Sequence, residues 1–246
     1  MSENLTTARW SLVNQPDVFP WGRAVTAELL NLINEKLGYP PPTEQPKEPV
    51  DITDDHWLED AIRDELSGGS HMPTRRFLVI HFTAGASAKS SIEWWRRSGA
   101  ASAHIVIERD GTIYQCRPFD RTAGHAGSSS WVDPNTGTRY TGLNSCSIGI
   151  ELANGGDAYP RKFSKLKPIR ARHKNGGPER EWERYPEAQL TACRQVSEAL
   201  VKRYHLDDVI GHEDIAPDRK SDPGPAFPMG ELRMACGFPP DVHQLG

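Results

Sequence analysis

Short apolar runs recur through the middle of the chain and predict the strands of a sheet. The run within residues 75–85 is rich in β-branched and aromatic residues, residues 103–108 alternate with a period of two, and residues 147–152 form a third run. Asp110-Gly111 predicts a hairpin turn after the second strand. From Pro186 to Tyr204 apolar residues recur at helical spacing, which predicts a helix covering one face of the sheet. This pattern predicts an α/β fold.

Residues 1–72 follow a different pattern and are predicted to form a small helical appendage and linker before a main domain of residues 73–246. Helical spacing predicts one helix over Arg23–Leu37, which ends before a proline-rich linker over residues 40–50. A second, shorter helix is predicted over Asp54–Leu66. Because two short helices bury little surface alone, we expect this segment to pack on the main domain or on a partner.

The sequence Gly69-Ser-His-Met72 has two interpretations. It matches a remnant that tag cleavage leaves in recombinant proteins. It also fits a natural Gly-Gly-Ser linker between two domains. We therefore base no functional prediction on residues 1–72.

Composition and charge exclude some classes of protein. The chain has 246 residues and a net charge of −4, which is ordinary for a globular protein and argues against a nucleic-acid partner. No apolar run approaches the roughly 20 residues of a membrane helix. The first residues lack the basic-then-apolar order of a secretory signal, so we expect a protein made in the cytoplasm and retained there unless lysis or a delivery system releases it. We expect a monomer.

The four cysteines are widely spaced and include no CxxC pair. Together with the lack of an export signal, this predicts free thiols. A disulfide between Cys116 and Cys146 stays open as an alternative.

The stretch Gly211–Phe227 combines a histidine, several carboxylates and a lysine, and its prolines prevent a regular helix. It is predicted to be a shaped loop in which His212 and Asp222 are suitable zinc ligands. His81, near the carboxyl end of the first predicted strand, is the candidate third ligand, because ligand sites gather at that end in open α/β sheets. Each residue alone is explained as well by packing or exposure. Together, with a fourth position open, they indicate a catalytic zinc site rather than a structural one.

Several motifs, taken together and in order, resemble one family. They are Phe77-Leu-Val-Ile-His81, Ser102–Tyr114, Gly124-His-Ala-Gly127, Asn144–Leu152 and the loop Gly211–Phe227. In these motifs the chain resembles the zinc-dependent N-acetylmuramoyl-L-alanine amidases of the type 2 fold, which include phage lysozyme-like amidases and the peptidoglycan recognition proteins. The resemblance implies a central mixed β-sheet flanked by helices.

The resemblance also implies a reaction. Zn²⁺ held by His81, His212 and Asp222 would serve hydrolysis of the amide between N-acetylmuramic acid and the L-alanine of the stem peptide, in peptidoglycan or in muropeptide fragments. Intact wall and soluble muropeptide both remain open as substrates. A non-catalytic peptidoglycan-binding module is the alternative function, although such members generally lack a zinc ligand.

Two catalytic residues follow from the same resemblance. Glu151 occupies the position of the catalytic glutamate of recycling-type members, and a carboxylate closing an apolar strand otherwise costs free energy. Phage lysozyme-like members use a tyrosine from the strand where this chain has Ala103. Lys220 is predicted to stabilise the oxyanion, and a plain surface lysine is its alternative.

Substrate contacts are predicted at three positions. His125 lies between small residues and matches a histidine of the family's substrate groove, and Asn154 follows the Glu151 strand. His104 is either a second substrate contact or a packed, hydrogen-bonded group. Residues 161–174 contain seven Lys or Arg and no Asp or Glu, so they form either a solvated loop or a cationic lid over an acidic substrate.

Overall fold

The computed structural model describes residues 50–241 together with residues 32 and 36. The chain divides into two compact units, Met1–Glu48 and Pro49–Gly246. The sheet and the candidate site both belong to the second unit.

The described residues contain ten strands. They are β1 (Ile62–Arg63), β2 (Phe77–Phe82), β3 (Ile105–Ile107), β4 (Ile113–Gln115), β5 (Ser130–Val132), β6 (Arg139–Thr141), β7 (Ser147–Leu152), β8 (Ile169–Ala171), β9 (Arg180–Trp182) and β10 (Asp208–Gly211). Six of them form the central sheet in the order β1-β4-β3-β7-β2-β10, while β5–β6 and β8–β9 are separate two-stranded hairpins. Within the central sheet only β3 and β4 pair antiparallel, so the predicted mixed sheet is confirmed.

The strands in the middle of the sheet are buried on both faces, which explains why apolar and polar residues do not alternate strictly along them. β2 and β7 pair in parallel over six residues, from Phe77↔Ser147 to Phe82↔Leu152. Leu78 and Ile80 join the core on one face, and Phe77 and Val79 join an apolar cluster on the other. A strand buried on both faces is apolar at nearly every position. A polar residue at its carboxyl end therefore requires a specific explanation.

Within residues 50–241 four α-helices accompany the sheet, α1 (Ala88–Ser98), α2 (Glu187–Tyr204), α3 (His212–Ile215) and α4 (Met229–Ala235), together with a short 3-10 helix at Leu143–Ser145. α1 begins with a capping box at Ser87 and ends at Gly99, whose left-handed backbone (φ 62°) suits glycine. The predicted long helix is α2, which buries Val196 and Leu200 in the core beside the sheet. In the described part of the chain, none of the helices has the length and apolarity that crossing a bilayer requires.

The N-terminal predictions have different outcomes. The predicted helix over residues 23–37 lies outside the described residues except for Leu32 and Lys36, which are both helical. The predicted linker over residues 40–50 also lies outside them, apart from its last residue. The helix predicted over Asp54–Leu66 is wrong, because this stretch consists of turns, bridges and the short strand β1.

Residues 50–72 are built into the second unit. β1 pairs in parallel with β4, and Leu58 and Met72 are buried in the main core. The contact boundary therefore falls between residues 48 and 49, not between 72 and 73. Trp57, Leu58 and Leu66, which suggested a helical face, are each buried, whereas Ile62 is exposed, and pairing along the edge of the sheet replaces helical hydrogen bonds.

The segment ending in Met72 is held on both sides. Met72 has no exposed surface, and its backbone N–H donates to Asp120 O at 2.6 Å. Thr122 N donates to Ser70 O at 2.8 Å. A side chain that fills a specific place in the core favours the interpretation of this stretch as a natural part of the chain.

All four cysteines are free, as predicted.

Candidate metal centre and active site

Three predicted ligands meet at the carboxyl edge of the sheet. His81 is the fifth residue of β2, and β10 pairs beside it with Gly211 opposite Ile80. His212 begins α3 directly after β10, so the two histidines lie next to each other across neighbouring strands. Asp222 comes from the loop that follows α3. All three side chains are buried.

The donor atoms converge on one point. His81 Nδ1 lies 2.8 Å from His212 Nδ1 and 3.0 Å from Asp222 Oδ2, and His212 Nδ1 lies 2.9 Å from the same oxygen. Burial and the neighbouring His212 lower the pKa of His81 to about 4, so its imidazole is neutral. Burial by itself would raise the pKa of Asp222, but hydrogen bonds from His212 and His81 outweigh it and hold this pKa below the usual range. A neutral imidazole and an ionised carboxylate are the forms that bind a metal, so the group fits one.

His125 lies behind His81 rather than in an open groove. Its side chain is buried, and its Nδ1 is 2.9 Å from His81 Nε2. Because His81 presents Nδ1 to the other ligands, its Nε2 would carry the hydrogen when a metal is bound at Nδ1 and would then donate to His125. Asn144 Oδ1 accepts the His125 backbone N–H at 3.1 Å, which fixes this loop. In this structure His125 therefore contacts the candidate ligand His81, and the predicted substrate contact at His125 stays a prediction.

Gly149 makes room for this arrangement. A Cβ at residue 149 would lie 2.5 Å from His125 Cγ, closer than non-bonded carbons approach. The glycine on β7 therefore lets His125 lie flat against the sheet.

His104 and Asn154 are also buried, and each is held by hydrogen bonds. His104 Nε2 donates to Arg121 O at 2.8 Å, and its Nδ1 accepts from Gly149 N at 3.0 Å. Asn154 Oδ1 accepts from Gly156 N at 2.8 Å. The packed alternative for His104 therefore fits the structure, and Asn154 shapes a turn. The predicted substrate contacts at both residues stay predictions.

Glu151 stands beside the three ligands. It is paired in register with His81 on the adjacent strand, so both side chains project from the same end of the sheet. Its Oε2 is buried without a hydrogen-bond partner. Burial, followed by the charge of Asp222, raises the pKa of Glu151 to about 8, although Lys220 opposes the shift. An unsatisfied carboxylate oxygen next to an open metal position is available for proton transfer.

Lys220 belongs to the loop that supplies Asp222 (residues 216–227, the metal loop). Its charge opposes the rise in the pKa of Glu151 and contributes to the lowering of the pKa of His81. It also lines a cleft of about 350 Å³ between the metal loop and the β8–β9 hairpin. Its neighbour Arg219 is instead fixed by bonds to Ala126 O and Ser128 O, at 2.9 and 2.8 Å. Arg219 is therefore held by backbone carbonyls, whereas the adjacent Lys220 lines the cleft.

Sequence reasoning missed a second charged group next to the ligands. Glu213 and Asp214 follow His212 directly and are buried. They pair with His173 and Lys174, which end the basic stretch (residues 161–174). The stretch is therefore neither a free solvated loop nor an open lid at this point. The sequence signal that could have indicated this group is the pair of acidic residues directly after His212.

The fold and the site together define an α/β protein with a candidate mononuclear metal centre at the carboxyl edge of a mixed sheet. The profile of the family described as N-acetylmuramoyl-L-alanine amidase (Amidase_2) matches residues 71–225. The chain belongs to this family, as the motifs predicted.

Two curated relatives show how far the similarity extends. N-acetylmuramoyl-L-alanine amidase AmiD of Escherichia coli (strain K12) is 31% identical over 185 residues, which are 70% of this chain and 58% of AmiD. The 1,6-anhydro-N-acetylmuramyl-L-alanine amidase AmpD of Enterobacter cloacae is 38% identical over 133 residues, which are 52% of this chain and 53% of AmpD. The chain thus spans little more than half the length of these relatives.

Solved structures give the same grouping. A complex of Escherichia coli AmiD with the substrate anhydro-N-acetylmuramic acid-L-Ala-D-γ-Glu-L-Lys is 28% identical with a TM-score of 0.52, over 76% of this chain and 66% of that one. AmpDh3 of Pseudomonas aeruginosa in complex with anhydromuramic pentapeptide is 30% identical with a TM-score of 0.51, over 74% and 66%. Both relatives were solved with muropeptide fragments bound.

Proposed function

We propose that this protein is a zinc-dependent amidase that hydrolyses the bond between N-acetylmuramic acid and the L-alanine of the stem peptide in peptidoglycan fragments. The observation that carries the proposal is the convergence of His81, His212 and Asp222 within 3.0 Å of one another, beside Glu151. Family membership and the muropeptide complexes of two relatives support the substrate class.

Zinc is the metal that the donor set suits best. Two imidazole nitrogens and one carboxylate oxygen, with a further position open, are the ligands of catalytic zinc in other hydrolases. When bound, zinc supplies a Lewis acid that polarises a carbonyl and makes water more acidic. We assign His81, His212 and Asp222 to hold it, and His125 to orient the His81 ring.

The remaining work belongs to side chains of this protein. Glu151 would accept a proton from the attacking water and pass it to the leaving amine, as a general base and then a general acid. Burial raises its pKa to about 8, which suits the general-acid step, in which Glu151 holds the proton before passing it to the amine. Lys220 would place positive charge where the carbonyl oxygen becomes negative.

The cleft beside Lys220 is our candidate for the stem-peptide site. Its volume of about 350 Å³ and its lining, which includes Asn175, Arg180 and Trp182, offer both polar contacts and an apolar surface. A peptide held there would reach Lys220, at the edge of the metal group.

Product analysis tests the proposal. Purified sacculi and a soluble anhydromuropeptide would be incubated with wild-type protein, with Asp222→Ala and with chelated protein before and after zinc addition, and the products identified by mass. We expect free stem peptide from wild-type and zinc-restored protein only. Binding of muropeptide without any released peptide would instead identify a recognition module.

A further inference from the structure

The connection between β8 and β9 makes ionic contacts with the turn that carries a metal ligand. Lys174 Nζ lies 2.9 Å from Glu213 Oε1 and 2.5 Å from Asp214 Oδ1. These carboxylates belong to the two residues that follow His212. One lysine from the hairpin therefore bridges both acidic residues of α3.

The neighbours of Lys174 add two more bonds. His173 Nε2 lies 2.6 Å from Glu213 Oε2, and Asn175 Nδ2 donates to the Glu213 backbone carbonyl at 2.8 Å. Three consecutive residues of the connection thus hold Glu213, through both its side chain and its backbone.

The same carboxylates accept hydrogen bonds from the backbone just before His212 and just after Asp222. Asp214 Oδ2 accepts from Gly211 N at 2.7 Å, and Glu213 Oε2 accepts from Gly224 N at 3.1 Å. The Glu213 backbone N–H donates to Asp222 O at 2.8 Å. Glu213 therefore ties α3 to the loop that supplies the third ligand.

These carboxylates depend on the hairpin for charge compensation. Glu213 is 4% exposed and Asp214 is 6% exposed. Two adjacent buried carboxylates repel each other and have lost most of their hydration, so removing a cationic partner leaves charge uncompensated. Lys174 and His173 are the groups that face them from the hairpin.

The hairpin also packs against the metal loop. The Trp182 ring at the end of β9 is buried and stacks on His173, with 5.7 Å between the ring centroids. A Cβ at Gly224 would lie 2.7 Å from the Trp182 ring, and Gly224 has a φ of +72°. The backbone after Asp222 therefore passes against the indole, and widening the loop requires the hairpin to move.

We propose that the β8–β9 hairpin is a clamp that sets the spacing between the ligands His212 and Asp222, with Lys174 and His173 as its positioning residues. The inference rests on the metal site of the proposed function and not on the identity of the substrate. It gives the basic stretch a role inside the protein, because Lys174 and His173 hold the metal loop through Glu213 and Asp214.

The affinity for zinc alone measures this directly. We expect Lys174→Gln in the full chain to weaken zinc binding by about 10- to 100-fold, the usual effect of losing a group that supports metal ligands. Lys174→Arg, which keeps the charge, should recover most of the affinity. Arg172→Gln removes the same charge from the same connection, where the structure gives no bond to either carboxylate, and should bind zinc like wild type. Competition with a chromophoric chelator gives the values, at a temperature where circular dichroism shows every variant folded.

Hydrogen exchange separates positioning from general stability. In Lys174→Gln we expect faster deuterium uptake in peptides covering residues 211–216 and 222–227, with unchanged uptake in α2. If Lys174→Gln melts earlier but binds zinc as tightly as wild type, the hairpin is only a stabilising contact and the clamp is refuted. His173→Gln repeats the test if the lysine variant does not fold. Wild-type protein that binds zinc but releases no peptide would overturn the proposed function and leave the clamp standing.

Discussion

Glu151 sits at a position where an apolar residue would be more stable. β7 is buried along most of its length, and the strand ends on a carboxylate with one oxygen that has no hydrogen-bond partner. Burial of such a group costs free energy. The proposed mechanism gives a reason for its position, because proton transfer requires a group beside His81 that can carry a proton.

Replacing Glu151 by glutamine tests its catalytic role. Glutamine keeps the shape but cannot exchange a proton, so we expect kcat for peptide release to fall by about 10²- to 10⁴-fold. Zinc content should stay equal to wild type, because Glu151 is not one of the three converging ligands. Release rates from a soluble muropeptide and metal analysis of the same samples measure both. Undiminished kcat would remove Glu151 from the mechanism.

The same residue predicts a pH dependence of stability in metal-free protein. Burial raises the pKa of Glu151 from 4.5 to about 8. Between these values the folded state keeps a proton that the unfolded chain has released, so this residue lowers the free energy of unfolding as pH rises. The stability of Glu151→Gln relative to wild type should therefore increase from pH 4.5 to pH 8, measured by urea titration with a chelator present. A difference that stays constant with pH would contradict the buried, protonated state.

Gly149 is the residue whose replacement should disturb the metal group indirectly. In Gly149→Ala the new Cβ meets the His125 ring at 2.5 Å, so the ring must shift and His81 loses its support. We expect a loss of about 1–3 kcal/mol in the free energy of unfolding and weaker zinc binding. Gly124→Ala is the matched control, because a Cβ there meets its nearest atom, Ser102 Oγ, only at 3.8 Å. Equal zinc affinity in the two variants would refute the supporting role of His125.

At the scale of elements, the segment before β2 behaves differently from its sequence pattern. Trp57, Leu58 and Leu66 are spaced as on a helix, yet Leu58 packs in the main core and Leu66 in the cluster beneath α1. Edge pairing of β1 with β4 and isolated bridges replace the helix. Propensity is a weak preference that tertiary packing overrides when single apolar side chains each find a buried place.

Met72 tests whether this segment stabilises the fold. Met72→Ala removes a fully buried side chain, so we expect a loss of about 2–5 kcal/mol in the free energy of unfolding. Ile62→Ala on β1 is the control, because Ile62 is 50% exposed and should lose far less. Urea denaturation of the full chain compares them. Equal stabilities would show that the segment ending at residue 72 contributes nothing to the core.

At the scale of the whole molecule, the proposed metal would join parts of the chain that lie far apart in sequence. His81 and His212 are 131 residues apart, and they meet because β2 and β10 are neighbours in the sheet. A metal that binds only this assembled state stabilises the entire fold by mass action, by about 4 kcal/mol at 1,000 times Kd. We expect zinc to raise the Tm of chelated wild-type protein and to leave that of Asp222→Ala nearly unchanged, as scanning calorimetry would show. An equal rise in both proteins would place the zinc elsewhere.

The sequence by itself predicted strands β2, β3 and β7 of the central sheet, the long helix α2 and the three candidate metal ligands. Each has a local signal: an apolar run, a helical period, or ligand-type side chains in a proline-rich loop. The order of the motifs was sufficient for the family. Such signals report what a residue can do in its own neighbourhood.

Only the tertiary structure decided which polar groups face the site and which support it. His104, His125 and Asn154 have the chemistry of substrate contacts but lie buried in hydrogen bonds, and Glu213 and Lys174 meet although they are 39 positions apart in the chain. Burial and pairing of this kind depend on strand order and on the docking of a hairpin. These long-range contacts cannot be predicted from a local sequence pattern, because each partner acquires its environment only when the sheet has assembled.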